Sequence, residues 1–214
     1  MAGIESPTTG NGQEVDTAMK AARTTLRPME CLGWLSVGAV SGALTGAAAN
    51  TPIFSFRNLS ANPVLIRRVG IGFIASTGFT AAQMLSYGLI VARAFTVSDS
   101  GGTAISLTGS NAKHRTSLAG LTSVDMRIAA AAALTAGTRT LDVTALAQIG
   151  AWAPVTAGVV LAPAPNNLLS HDAGDYPLVL AQNEGVIITN VTAMGAGGVG
   201  TFFTNLEMAE VTTY

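Results

Sequence analysis

The chain has 214 residues, of which 49% are hydrophobic and only 11% charged, and its net charge is -1. Soluble domains carry about 25% charged residues, and one domain of this size still exposes roughly 30% of the area of its unfolded chain, so the deficit implies surface shielded by copies of the chain or by a partner. Near-neutrality excludes the field that recruits nucleic acid or an anionic membrane, and the lone Cys31 excludes a disulfide framework and a Cys-based zinc site.

Residues 1–33 read as an extended N-terminal arm. Its first 18 residues, with Pro7, Gly10, Asn11 and Gly12, lack apolar periodicity. Ala18 to Leu26 could form one or two helical turns before Pro28 stops them. The remainder, 34–214, reads as one domain.

From Trp34 the period becomes two, with Leu35, Val37 and Ala39 alternating against Ser36 and Gly38, the pattern of a half-buried strand. Thr51-Pro52 punctuates, and Ile53 to Asn58 sets Phe54 and Phe56 against Ser55 and Arg57. Val64 to Ile74 is expected to place Leu65, Arg67, Val69, Ile71 and Phe73 on one face. Tyr87 to Val97 alternates again, and Asp99-Ser100-Gly101-Gly102 is a turn that would return Thr103 to Leu107 as its hairpin partner. The alanine-rich run Val124 to Thr135 fits either a helix or a buried strand, with the flanking Gly137-Thr138 favouring the strand, and the proline-containing stretch 143–171 is expected to be a long ordered loop. Leu178 to Ala181, Val186 to Val191 and Val199 to Val211 follow as strands, separated by turns at Gln182 to Gly185 and Gly195 to Gly198.

Three windows carry no charge: Cys31 to Phe56, Val69 to Ala92 and Val143 to His171. Each is diluted by Gly, Ser and Thr or broken by Pro, so they read as strands and loop and not as the roughly 20-residue apolar helices that span membranes. Many short strands with frequent turns predict an all-β fold, a single antiparallel sandwich of jelly-roll type carrying the arm.

Residues able to do chemistry are few. Ser170, His171 and Asp172 are chain neighbours, whereas a catalytic triad is defined by convergence in space. His171, Asp172 and Asp175 supply one imidazole and two carboxylates with no second cluster to complete a metal shell. The glycines at Gly101-Gly102 and Gly195 to Gly200 lack the Lys-Ser/Thr pair of a phosphate loop. Glu207 and Glu210 fall on opposite faces of a strand, and Arg67-Arg68 is too small a patch for nucleic acid. No enzyme, metal or cofactor is expected. The contact residues expected from type alone are Arg23, Arg27, Trp34 and Trp152, since Arg and aromatics anchor interfaces.

Three segments, GALTGAAANTPIFSFRN from Gly42 to Asn58, DYPLVLAQNEGVIITN from Asp175 to Asn190 and NLEMAEV from Asn205 to Val211, together resemble a family of small virion structural proteins of tailed bacteriophages. Phe202-Phe203 stands where the resembled final strand has a tryptophan. The resemblance implies a virion location. With the composition, it leads to the expectation of a capsid cement or decoration protein, made in the host cytoplasm, that bridges capsomers. Its partners would be copies of itself, as a trimer, and the major capsid protein, with no nucleic acid and no membrane. A jelly-roll coat protein or a tail or fibre module are the other classes the strand pattern allows.

Overall fold

The computed structural model describes residues 15–16, 21–22, 33–108, 112–114, 121, 123–153, 155, 166–171 and 176–211. The chain divides into two compact units, Met1–Leu32 with Asp172–Asp175, and Gly33–His171 with Tyr176–Tyr214. In the first, strands β1 (Val15–Asp16) and β2 (Ala21–Ala22) pair antiparallel. Ala21 and Ala22 are thus in a ladder and not in the helical turn expected of them.

The second unit is an antiparallel β-sandwich. Its strands are β3 (Leu35–Val40), β4 (Leu44–Thr45), β5 (Thr51–Asn58), β6 (Val64–Thr77), β7 (Gln83–Val97), β8 (Thr103–Ala104), β9 (Val124–Ile128), β10 (Thr138–Leu141), β11 (Ala147–Ala153), β12 (Asn166–Ser170), β13 (Leu178–Leu180), β14 (Gly185–Asn190) and β15 (Val199–Glu210). Sheet I has the order β12-β6-β15-β3, with β13 also on β6 and β4 also on β15. Sheet II has the order β10-β7-β14-β5-β9-β8, with β11 also on β7.

The order follows from one long ribbon rolled up. Strands of the first half pair with those of the second half in reverse sequence: β3 with β15, β5 with β14, β6 with β13 and β12, β7 with β11 and β10. Rolling then sets β15 against β6 and β14 against β7. The antiparallel β-sandwich expected from the strand pattern is thus present, with β8 and β9 inserted beside β5.

Alternation decides what lies between the sheets. Leu35 and Val37 of β3 and Phe202, Leu206 and Met208 of β15 face Phe54 and Phe56 of β5, Tyr87, Leu89 and Val91 of β7 and Val186 and Ile188 of β14. The Tyr87 ring crosses the interface, its centroid 6.0 Å from that of Phe73 and 5.2 Å from that of Phe202. Burying such rings is the main favourable term in holding the sheets together.

Several expectations are corrected. A bulge at Arg67-Arg68, where β15 passes from Glu207 opposite Arg68 to Met208 opposite Ile66, reverses the parity of β6. Ile66 therefore joins Val69, Ile71 and Phe73 in the core, whereas Leu65, though buried, is not in that cluster. Thr103-Ala104 pairs with β9, and the far end of β7 takes β10 instead. The alanine-rich run is a strand only over Val124–Ile128. Two strands, β11 and β12, lie within the stretch expected to be a loop. Small residues hide them: AQIGAWA has little β-branched content, and β11 forms because the 15-residue β7 offers an edge longer than β10 alone can use.

Candidate functional site

Among the described residues no three His, Cys, Asp or Glu side chains converge to hold a metal, and no helix is long and apolar enough to cross a membrane. His171 has its backbone N–H on the Arg67 carbonyl, and its own carbonyl accepts from Arg67 Nε. Asp172 and Asp175 lie outside the described residues. Glu207 sits 3.7 Å from Arg67 and 4.0 Å from Arg68. Glu210 instead accepts from Ser60 Oγ and Asn62 Nδ2. Gly101, Gly102 and Gly197 have positive φ, as turns require.

The sites that remain are surfaces. Of the four expected contact residues, Arg23 and Arg27 lie outside the described residues. Trp34 is 4% exposed, with the Arg67 guanidinium 5.7 Å from its ring centroid, so its ring serves the fold internally. Trp152 is 58% exposed, and so is Met84, directly opposite it on β7. Gly150 lets the Met84 thioether lie flat beside it, since a Cβ there would come within 3.1 Å of the sulfur. Val155 is also exposed just beyond the strand, as are Val143 and Leu146 before it. Among the described residues β11 has a backbone ladder only with β7. Trp152 and Met84 are thus an exposed apolar pair beside a strand that has no second ladder among the described residues, the kind of edge that invites a partner strand or a covering neighbour.

The rest of the outer face of sheet II is roofed by charge. Arg57 and Arg139 stand over the Phe95 ring, 5.6 and 5.3 Å from its centroid. Arg139 is paired with the buried Asp99, which also accepts the Gly137 N–H. Burial lowers the Arg139 pKa. Arg93 bonds Glu184 at 2.7 Å and Asp142 at 3.4 Å, and these bonds raise its pKa. Arg127 pairs with Asp125. Beneath this roof Ala92, Phe95 and Ile187 form a second small core.

The outer face of sheet I is different. A trough of about 660 Å³ crosses it. Its middle row runs Gly38, Asn205, Gly70, Asn167 across β3, β15, β6 and β12. One wall is the row Ser36, Glu207, Arg68, and the other holds Phe203 and Ile74, with Gly72 opposite Phe203. His114 Nε2 lies 2.8 Å from Ser36 Oγ at the charged end. Among the described residues nothing hydrogen-bonds the Asn167 or Asn205 amides. The glycines leave the trough open, because a side chain at 70 or 72 would stand in it. The sequence signal was present in the strand motif VGIGFI, since glycine inside a strand marks close approach by something else.

No known protein family, curated protein or solved structure matches the chain.

Proposed function

We propose that the chain is a non-enzymatic structural protein of a tailed-bacteriophage particle, a cement or decoration subunit that assembles with copies of itself and seats on the major capsid protein. The observation that carries this reading is the Trp152–Met84 patch on the open β11 edge. Covering one such side chain contributes about 2 kcal/mol, and repetition over a shell makes a modest contact effective. The low charge content and the three segments resembling virion proteins support the same reading. Cofactors have no part in it.

The rolled-ribbon path favours a second reading, a shell-forming coat protein, because jelly rolls recur in viral capsid domains. Copy number separates the two. Quantitative mass spectrometry of purified particles is expected to find the chain at or below the abundance of a distinct coat protein. Dominance of this chain would favour the coat reading, and its absence from particles would refute both.

A further inference from the structure

We propose that the trough on sheet I is a binding site for a neutral saccharide. The inference is independent of where in a particle the subunit sits.

Its size falls within the roughly 300–1,000 Å³ of ligand clefts. The four strands it crosses, at about 4.8 Å spacing, give it a length of about 14 Å, enough for two or three sugar rings in line. Strand N–H and C=O groups lie in the plane of the sheet, where the ladders use them, so the floor offers an incoming polypeptide no backbone partners. Recognition falls to the side chains.

Those side chains match hydroxyl chemistry. A sugar hydroxyl both donates and accepts, and Asn167 and Asn205 each present an amide that does the same without a partner among the described residues. Glu207 adds a carboxylate acceptor, held by Arg67 at 3.7 Å and Arg68 at 4.0 Å. Both guanidinium groups are engaged with Glu207 and are not left unpaired for a phosphate or a carboxylated ligand. Phe203 provides an apolar surface for the C–H face of a ring, and Gly72 opposite leaves its flank clear. A Cβ at Gly70 would meet Asn167 Oδ1 at 3.5 Å and Asn205 Cβ at 3.8 Å, ordinary contacts. The methyl groups of a valine there would project from that Cβ into the trough.

The test is titration of the full chain with maltotetraose, cellotetraose, chitotetraose and a galactose–N-acetylglucosamine tetrasaccharide, followed by the amide resonances of Gly38, Gly70 and Gly72. At least one is expected to shift all three saturably, with a Kd of about 1 mM or tighter. Gly70→Val should abolish the shifts at Gly38 and Gly72 while moving the melting temperature by less than about 4 °C. Asn205→Ala should weaken binding about three- to tenfold, as loss of a hydrogen bond predicts. No response to any of the four up to about 20 mM, unchanged binding in Gly70→Val, or preference for a Gly-Ala oligopeptide would overturn the proposal.

Discussion

The two outer faces of the sandwich solve the same problem in opposite ways. Sheet II covers its outer surface with paired arginines and carboxylates stacked on Phe95, whereas sheet I strips side chains from its centre with Gly38, Gly70 and Gly72. Away from the Trp152–Met84 pair, the first arrangement fills its surface with its own side chains; the second leaves room. A low charge count therefore does not mean an evenly apolar surface. Eight of the charged side chains named above, Arg57, Arg93, Asp99, Asp125, Arg127, Arg139, Asp142 and Glu184, sit on or beside sheet II.

Substitutions break this contrast most sharply at the roof. Asp99→Ala leaves Arg139 buried without its carboxylate and the Gly137 N–H without its acceptor. Urea unfolding should show a loss of about 3–5 kcal/mol. Next in size is a pair of glycine substitutions. A Cβ at Gly185, beneath the roof, would lie 2.0 Å from the Phe56 carbonyl oxygen. Gly185→Ala should thus cost at least about 2 kcal/mol, whereas Gly72→Ala in the trough, with only Phe203 Cβ at 3.9 Å, should stay within about 0.5 kcal/mol. Equal effects would mean that the two faces are not built differently.

Smaller still is the core between them. The Tyr87 hydroxyl is buried without a partner among the described residues, and burial pushes its pKa well above the ordinary 10.0. Because the folded pKa is raised, the neutral phenol favours the fold equally at all pH below 10 and that contribution fades as pH rises past it, when the unfolded chain ionises. Tyr87→Phe should be neutral or stabilising by up to about 1 kcal/mol at pH 7. It should also flatten the alkaline decline in stability, which chemical denaturation at pH 7 and pH 11 would measure.

What the sequence disclosed follows the range of the interactions. β3 and β15 were legible because each buries mainly one face, so Leu35, Val37, Phe202 and Leu206 advertise the period of two, and β5, though buried on both faces, still alternates Phe54 and Phe56 with the polar Ser55 and Arg57. β14 is buried on both faces, under the Phe95 cluster as well as in the core, and reads as a plain apolar run. The bulge at Arg67-Arg68 could not be read, because it depends on the register of β15, over a hundred residues later. β11 was hidden for a similar reason, its pairing with β7 being non-local and its residues small. Trp152 was singled out by residue type alone, and the structure shows it exposed. Its partner Met84 was not, because only register brings the two together. The trough went unread because its floor is made by absent side chains on strands that meet only after the ribbon rolls.

The proposed role rests on the exposed edge at Trp152 and Met84. Its most direct test is sedimentation of phage particles lacking the chain, after addition of purified wild-type protein or of the Trp152→Ser, Met84→Ser double variant. Both side chains are solvated, so the variant should keep its stability within about 0.5 kcal/mol. Wild type is expected to pellet with the particles and the variant to bind at least about tenfold more weakly. Wild-type protein that remains in the supernatant, or a variant that pellets equally well, would contradict the role assigned to that edge.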